Sequence, residues 1–361
     1  MFRIFLILLR LKFQLFKKLN MKKILVTGGS GFIGTNFINF LSKTDNVILN
    51  IDKISKISTP ENFKKIINKK NYYFLKNDLE NPTFIYKVLK KFKPDLIVNF
   101  ASESHVDRSI NEPLYFIKNN INSSSNLFYA YSQYFKKNKI KLFNISTDEV
   151  FGSISKGSSK EMDKYNPSSP YSASKASIDL VATSFNRTYG TQIKIINMTN
   201  NYGPFQFPEK LIPTIIFHYL NNKKAPIYGD GKNIREWIYV EDSCEAIWKI
   251  MLSKKKFERV NIGSGIRVSN LQIAKEIFKI MKFNKLTNLK YNNFIKKVND
   301  RPGHDKRYSL NSNFLKKNIK FKLKKNLYSG LKETIFWYIN NKYWIKKILK
   351  SYKFKRLGLI D

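Results

Sequence analysis

The sequence contains one cysteine among its 361 residues, Cys244. A single cysteine cannot form an intrachain disulfide or supply a cysteine cluster for a metal, so we predict neither a disulfide nor a metal site. Cys244 lies in the segment DSCEAIWKIML, whose apolar spacing predicts a helix with the thiol in or near the core. A chain with so little cysteine fits a reducing compartment, and we expect a cytoplasmic protein.

Acidic residues are scarce relative to basic ones. Asp and Glu total 26 against 66 Lys and Arg, which leaves a formal net charge of +40. Such a charge favours nucleic acids, acidic membranes or phosphorylated substrates as partners. The lysines are spread along the whole chain, however, and the sequence has neither a zinc-ligand set nor a basic region followed by heptads. We therefore expect an anionic substrate and no nucleic-acid partner; a nucleotide- or nucleic-acid-binding protein without catalysis is the alternative.

Long hydrophobic runs are also absent. Residues 1–20, MFRIFLILLRLKFQLFKKLN, come nearest to one, but Arg10 and Lys12 interrupt the run and no small-residue cleavage site follows. They are either a basic amphipathic surface helix or an extension upstream of a natural start at Met21. We favour the extension because MKKILVTGG leads directly into a predicted strand. No membrane partner is predicted.

From Lys22 to about Asn197, short apolar runs alternate with helical patterns, as in KILVTGG, TNFINFLSK, NVILNID and PTFIYKVLKKF. This alternation predicts an α/β fold with a Rossmann-type, doubly wound parallel sheet in residues 21–197. Loops rich in Pro and Gly then predict a smaller C-terminal substrate-binding lobe, mainly residues 198–346, with segments at about 234–260 returning to the first domain. Residues 347–361 form a basic tail. Ligands are expected in the crevice between the lobes.

The segment VTGGSGFIG places Gly28, Gly31 and Gly34 between a strand and a helix. Glycines at this spacing allow a tight turn, close approach of the backbone to a pyrophosphate and close packing of helix on strand. Asp52 ends the next predicted strand, where a carboxylate can bind the ribose hydroxyls of an adenosine. Since a carboxylate repels a ribose phosphate, the predicted cofactor is NAD rather than NADP.

The segment YSASK places Tyr171 and Lys175 on one face of a helix that Ser169 and Pro170 are suited to begin. A nearby ammonium favours the phenolate, so the tyrosine can accept a proton from a substrate alcohol while a hydride leaves for a nicotinamide. Thr147, after an inner strand, completes the pattern of a hydroxyl-oxidising centre.

Two carboxylates, Asp148 and Glu149, directly follow Thr147 in STDEV. Hydride transfer alone does not need them. Two adjacent carboxyl groups can act as an acid and a base, provided that their surroundings separate their pKa values.

These motifs resemble those of the extended short-chain dehydrogenase/reductases, most closely the dTDP-glucose 4,6-dehydratases. The matching segments occur in order between about Lys22 and Leu310: VTGGSGFIG, ASESHVDRSI, STDEVFG, PSSPYSASKAS, NNYGPFQFPEKLIP, PIYGDGKNIREWIYVED and DRPGHDKRY. The resemblance implies a homodimeric NAD-dependent lyase that converts dTDP-glucose to dTDP-4-keto-6-deoxyglucose and water, a step toward deoxysugars of the rhamnose type. It implies oxidation at carbon 4, elimination across carbons 5 and 6, and hydride return to carbon 6.

The resemblance also assigns residues to the site. Catalysis is expected of Thr147, Asp148, Glu149, Tyr171 and Lys175. The NAD is expected to contact Gly28, Gly31, Phe32, Ile33, Gly34, Asp52, Lys53, Asp78, Leu79, Ala101, Ser102, Glu103, Tyr171, Lys175 and Asn201. The nucleotide-diphosphate sugar is expected to contact His105, Thr147, Asn200, Lys210, Leu211, Pro226, Ile227, Tyr228, Arg235, Asn261, Asp300, Arg301, Pro302, Gly303 and His304.

Two enzymatic alternatives stay within the same chemistry. A 4,6-dehydratase acting on UDP-glucose would carry the same catalytic groups. A nucleotide-sugar 4-epimerase or decarboxylase would also use Thr147, Tyr171, Lys175 and NAD, but it needs no pair of acids after the threonine.

The acid pair generates a first prediction. Asp148→Asn and Glu149→Gln should each slow dehydration by on the order of 10²- to 10⁴-fold, because each removes one proton transfer. Hydride transfer to bound NAD should survive better, since neither acid takes part in it. Product formation and single-turnover absorbance of reduced cofactor measure the two steps separately. Near-normal turnover by either variant would contradict the assignment.

Overall fold

A computed structural model describes residues 21–351 of the chain except 56, 57, 59, 64, 65 and 68. The predictions made for residues 1–20, and for the basic tail beyond residue 351, lie outside the described residues. The strands are β1 (Lys23–Thr27), β2 (Val47–Asp52), β3 (Tyr72–Lys76), β4 (Leu96–Asn99), β5 (Lys141–Thr147), β6 (Ile193–Met198), β7 (Asn200–Tyr202), β8 (Ala225–Tyr228), β9 (Ile234–Tyr239), β10 (Arg259–Ile262), β11 (Arg267–Ser269) and β12 (Ile295–Val298).

The helices lie between and after these strands. They are α1 (Phe32–Leu41), α2 (Pro82–Phe92), α3 (Val106–Asn111), α4 (Pro113–Phe135), α5 (Pro170–Tyr189), α6 (Leu211–Leu220), α7 (Val240–Leu252), α8 (Asn270–Phe283), α9 (Asn313–Asn318), α10 (Leu327–Asn340) and α11 (Lys342–Ser351). Short 3₁₀ turns span Pro60–Phe63, Asp148–Phe151 and Tyr291–Asn293. Among the described helices, none combines the length and apolar character that a bilayer crossing requires.

Seven parallel strands form the main sheet in the order β10-β6-β5-β4-β1-β2-β3. The predicted doubly wound α/β fold is therefore confirmed. The direction of winding reverses between β1 and β4, so the loops that follow these two strands diverge. A crevice opens at this point along the carboxyl ends of the strands, where such sheets bind ligands.

Helices cover both faces of the main sheet, which explains the nearly continuous apolar runs of its strands. Ile24 and Val26 of β1 point to the face covered by α1 and α7, whereas Leu25 points to the face covered by α2, α4 and α5. Cys244 of α7 is fully buried in the first of these layers. The chain beyond β6 thus returns to the main sheet as α7, as β10 and as α9, whose Leu315 is buried in the same layer as Cys244.

A row of buried polar side chains crosses the main sheet just before the carboxyl ends of its strands. The Thr27 hydroxyl donates to Asn99 Oδ1 at 2.7 Å, and the Asn99 amide donates to Asn144 Oδ1 at 2.9 Å. Asn144 and Ser146 donate in turn to the two carboxylate oxygens of Asp179 on α5. These bonds satisfy polar groups that would be costly to bury unpaired, and they hold β1, β4, β5 and α5 in register behind the crevice.

The second lobe is built from two small sheets, β11-β9-β7 and β12-β8, packed against α6, α8, α10 and α11. Its core is rich in aromatic rings, including Tyr219, Phe278, Trp237 and Tyr338. The Tyr338 hydroxyl donates to the carbonyl oxygen of Gln206 at 2.5 Å, which ties α10 to the loop after β7. This lobe forms the second wall of the crevice.

Candidate active site

The glycine-rich turn between β1 and α1 forms one end of the crevice. Gly28 has φ +68°, and a side-chain Cβ there would lie 2.4 Å from the backbone nitrogen of Ala101. Only glycine allows the turn after β1 to pass so close to the turn after β4. Asp52, at the end of β2, accepts backbone N–H groups from Ser30 at 2.8 Å and Ile54 at 2.7 Å.

These turns line a cavity that we call the glycine-loop pocket. The predicted cofactor residues that line it are Gly28, Gly31, Asp52, Lys53, Asp78, Leu79, Ala101, Ser102 and Glu103. Asn119 also lines it, as do Ser55, Ser58, Asn77 and Ser123, which sequence reasoning did not identify. Asn77 immediately precedes Asp78 after β3. Its position at the end of a parallel strand is the sequence signal from which a pocket-lining role could have been predicted. Lys53 spans the pocket, donating to Asn119 Oδ1 at 2.6 Å and lying 3.5 Å from Asp78 Oδ2.

A second cavity lies between the main sheet and the second lobe, and we call it the arginine pocket. The predicted residues that line it are His105, Glu149, Asn200, Asn201, Lys210, Leu211, Pro226, Tyr228, Arg235, Arg301 and His304. Asp107, Gln206, Glu209, Asn270 and Tyr308 line it as well. All of these except Asn270 lie inside the matched sequence segments. These segments therefore contain more pocket-lining residues than were predicted individually.

Cations are held rigidly around the arginine pocket. Arg301 lies 2.7 Å from Asp107, which also accepts the Tyr228 hydroxyl at 2.7 Å. The Arg235 guanidinium donates to two backbone carbonyls and lies 4.3 Å from the Tyr308 ring centroid. Because their positions are set by neighbours, both arginines are preorganised to bind an anionic group such as a diphosphate.

Several buried polar atoms at this pocket have no hydrogen-bond partner within the described part of the chain. They are Asn200 Oδ1, Asn201 Oδ1, Gln206 Oε1, Trp237 Nε1 and Arg301 Nε. Buried polar atoms without partners are rare in folded proteins, and a cluster of them beside a cavity indicates a polar ligand.

The proton-transfer groups come from β5, from the 3₁₀ turn that follows it and from α5. Thr147 ends β5, and Tyr171 and Lys175 lie in the first two turns of α5. The predicted helix start at Ser169 and Pro170 is confirmed, and Ser169 also forms a reciprocal capping box with Ser172. The Thr147 side chain faces the Tyr171 hydroxyl and acts to lower the pKa of this phenol. All three side chains are nearly inaccessible to solvent. The geometry brings together the three residues expected to oxidise an alcohol.

The electrostatics of Tyr171 differ from the sequence-based expectation. Burial raises the pKa of its phenol, and Glu149 and Asp148 raise it further. Lys175 donates to the Ile145 carbonyl at 2.6 Å, and burial lowers its pKa to about 8, with Asp179 acting in the opposite direction. Burial and the two neighbouring carboxyl groups thus favour the neutral phenol.

The two acids after Thr147 have different surroundings although they are adjacent in the chain. Burial, and then the charge of Glu149, raise the pKa of Asp148 to about 8. Burial also raises the pKa of Glu149, but Arg301, Lys210 and Arg235 act to lower it. Glu149 lines the arginine pocket, whereas Asp148 lies behind it, almost fully buried. Near neutral pH, Asp148 is suited to give a proton.

Some predicted site residues lie elsewhere. Ile227 points into the core of the second lobe, since neighbouring side chains on β8 alternate and Pro226 and Tyr228 take the pocket side. The Asn261 amide is buried in β10, where it donates to the carbonyls of Ser159 and Asn311. Asn201, expected to contact the cofactor, lines the arginine pocket instead.

Other predicted residues lie next to the pockets without lining them. Phe32 and Ile33 pack against the core beneath α1. Asp300 hydrogen-bonds to His304 at 2.6 Å. Pro302 and Gly303 form the turn between Arg301 and His304, with Gly303 at φ +61°.

Comparison with known proteins agrees with this geometry. A sequence model of the GDP-mannose 4,6-dehydratase family matches residues 25–334. A probable dTDP-glucose 4,6-dehydratase of Sinorhizobium fredii is 38% identical over 94% of this chain and 99% of its own length. The chain belongs to this family, and within it to the dTDP-glucose 4,6-dehydratases.

Solved structures place the fold in the same family. DesIV, a dTDP-glucose 4,6-dehydratase of Streptomyces venezuelae crystallised with NAD bound, superposes with a TM-score of 0.83 and 32% identity, over 90% of this chain and 99% of its own. UDP-glucose 4-epimerase of Thermotoga maritima, solved with UDP-glucose, superposes with a TM-score of 0.79 and 25% identity, over 89% and 99%. The dehydratases thus share their fold with epimerases, and the acid pair has to distinguish the two activities.

The glycine turn generates a second prediction. A methyl group at Gly34 would lie 2.5 Å from the Gly28 carbonyl oxygen, whereas one at Gly31 would meet only that oxygen, at 3.4 Å, and would face the glycine-loop pocket. Gly34→Ala should destabilise the protein by about 1–3 kcal/mol through overpacking. Gly31→Ala should leave the unliganded fold intact and weaken dinucleotide binding.

Thermal unfolding at increasing NAD concentration separates the two effects. Gly34→Ala should lower the midpoint at every concentration. Gly31→Ala should match the parent protein without NAD and show a smaller rise with it. An equal NAD-dependent rise in Gly31→Ala and the parent protein would exclude this turn as the phosphate-binding element.

Proposed function

We propose that the protein is an NAD-dependent dTDP-glucose 4,6-dehydratase that forms dTDP-4-keto-6-deoxyglucose and water. The observation that carries the proposal is the pair Asp148 and Glu149, placed beside Tyr171 at the carboxyl end of β5 in two different electrostatic environments. A simple dehydrogenase or an epimerase does not need this pair.

The glycine-loop pocket fits a dinucleotide. Gly28 and Gly31 leave room for a pyrophosphate beside the start of α1. Asp52, held between two backbone N–H groups, offers its carboxylate to ribose hydroxyls and disfavours a ribose phosphate. When bound, NAD supplies a positively charged ring that accepts a hydride from carbon 4 of the sugar and later returns it to carbon 6.

The first role of the protein is to remove a proton from the carbon 4 hydroxyl. Tyr171 accepts it, and Thr147, which faces the Tyr171 hydroxyl, orients the alcohol. Lys175 adds positive charge one helical turn away. This charge, together with that of the bound cofactor, offsets the burial that raises the pKa of Tyr171.

The second role is elimination. A ketone at carbon 4 acidifies the hydrogen on carbon 5, because the carbanion is delocalised as an enolate. Glu149 takes this proton. The nearby cations Arg301, Lys210 and Arg235 act to lower the pKa of Glu149, which favours the carboxylate needed to accept it. Asp148 gives its proton to the oxygen on carbon 6, the carbon–oxygen bond breaks, and water leaves as the double bond between carbons 5 and 6 forms. When the hydride returns to carbon 6, Glu149 gives its proton back to carbon 5, which completes the keto-deoxy sugar.

Substrate binding is assigned to the arginine pocket. Arg235, Arg301 and Lys210 bind the diphosphate, and the unpaired polar atoms of Asn200, Asn201 and neighbours hydrogen-bond to the rest of the nucleotide sugar. In this proposal residues 21–197 bind the cofactor and residues 198–346 mainly bind the sugar nucleotide. The reaction is placed in the cytoplasm.

A product assay tests the proposal. Purified protein is incubated with dTDP-glucose or UDP-glucose, without added reductant, and the products are identified by NMR. We expect the 4-keto-6-deoxy sugar from dTDP-glucose, and Tyr171→Phe serves as the inactive control. A galactose epimer would indicate an epimerase instead. Absence of any product from NAD-loaded protein, together with strongly salt-dependent nucleic-acid binding, would support the non-catalytic alternative.

We also propose a homodimer formed through α4 and α5. These adjacent helices expose large hydrophobic side chains, among them Leu114 at 80% and Leu180 at 58%. Exposed hydrophobic side chains on adjacent helices favour association with a partner of the same kind. Sedimentation equilibrium should give twice the mass of one chain. Leu114→Glu with Leu180→Glu should give monomers, whereas Phe283→Glu, at the end of α8, should remain dimeric; a monomeric parent protein would refute the proposal.

A further inference from the structure

Thr199 lies between β6 and β7, directly behind the acid pair. Its side chain is 3% exposed. The hydroxyl oxygen lies 2.7 Å from the backbone carbonyl oxygen of Glu236 and 3.1 Å from Asp148 Oδ2. No sequence motif marked this residue, and the mechanism proposed above does not use it.

The two contacts of Thr199 compete for one proton. A hydroxyl group has a single hydrogen to donate and two lone pairs with which to accept. The Glu236 carbonyl can only accept, and it is the nearer partner. The Thr199 proton is therefore directed to Glu236, and the hydroxyl presents a lone pair to Asp148.

The other oxygen of Asp148 meets a donor. Thr147 Oγ1 lies 3.2 Å from Asp148 Oδ1, and this hydroxyl also accepts the backbone N–H of Glu149. Among the described residues, Asp148 thus faces one hydroxyl that donates and one that accepts. A protonated carboxyl group needs this arrangement, whereas a carboxylate needs donors at both oxygens. Asp52 has such donors at both oxygens.

We propose that Thr199 is a positioning residue that keeps Asp148 protonated, so that this acid is ready to donate when the sugar loses water. The inference rests on the proposed dehydratase function and extends it. In the elimination step the Asp148 proton moves from its contact with Thr199 to the leaving oxygen, and Asp148 becomes a carboxylate that must be reprotonated before the next turnover. The weak 3.1 Å contact allows the proton to be released.

The other titratable and charged groups around Asp148 also affect its pKa. Glu149 lies next to Asp148 in the same 3₁₀ turn. Tyr171 faces Asp148 from α5, and Arg235 and Glu236 face it from β9. Burial and the two glutamates favour the protonated form, and Arg235 opposes it, as would a Thr199 hydroxyl that donated its own proton to Asp148. Water loss requires protonated Asp148, so the rate is highest below the pKa of this acid, about 8, and falls as the pH rises through it.

Thr199→Val tests the inference. Valine removes the hydrogen-bond acceptor and so destabilises protonated Asp148. The ionised form of Asp148 loses no donor, because the Thr199 proton is directed to Glu236. The alkaline limb of the pH profile of the water-loss rate should move to lower pH by about one unit. At pH values above the limb, the rate should therefore be roughly tenfold lower than in the parent protein. Thr199→Ser retains the hydroxyl and should restore the parent profile. An unchanged limb, or one displaced to higher pH, would overturn the inference, because a donating Thr199 would give the upward shift.

Two controls separate this effect from general damage. Thr334→Val removes another buried threonine that donates to a carbonyl, that of Gly330 at 2.7 Å, and should lower stability without moving the limb. A substrate with fluorine in place of the carbon 6 hydroxyl releases fluoride. Because fluoride can leave as an anion, this step does not need a proton from Asp148. Thr199→Val should process it at the parent rate. Equal slowing on both substrates would indicate a structural role and refute the inference.

The same measurements distinguish failure of the inference from failure of the proposed function. If the parent protein forms no 4-keto-6-deoxy sugar, the dehydratase proposal fails before any variant is compared. If the parent protein is active and Thr199→Val has an unshifted limb, the dehydratase proposal stands and the role of Thr199 is refuted.

Discussion

The site depends on the burial of two adjacent carboxyl groups at the carboxyl end of β5. Two such groups in a low-dielectric space cannot both ionise freely, so their surroundings decide which one keeps its proton. Three cations stand around Glu149, whereas hydroxyl groups surround Asp148. An acid and a base thus arise from consecutive residues, and the reacting sugar needs only to lie between them and Tyr171.

The rest of the structure maintains this separation. The polar row through Thr27, Asn99 and Asn144 holds the ends of three strands at one level, which places Thr147 opposite the first turn of α5. The second lobe brings Arg235 and Arg301 to the other side of Glu149. One cavity is shaped by glycine turns, and the other, which Glu149 lines, is shaped by fixed cations. Oxidation and elimination can occur without the sugar leaving this point.

Much of this arrangement could be predicted from local sequence. The alternation of apolar runs and helical patterns indicated the doubly wound sheet, because the period of each pattern reflects the geometry of its element. The glycine turn, Asp52 and the YSASK helix were recognisable for the same reason: each motif acts over a few residues. Positions within a motif were harder to assign. Ile227 lies in a matched segment, yet the alternation of β8 turns its side chain toward the core.

The sequence by itself determined the fold class, the glycine turn and the set of proposed catalytic groups, since these follow from short-range spacing and residue chemistry. Only the tertiary structure decided the protonation of those groups, because burial and charges from distant segments set their pKa values. Asp148 meets Thr199 and Glu236 from segments 51 and 88 residues further along the chain. No local pattern in STDEV predicts these contacts, and they make two neighbouring acids chemically different.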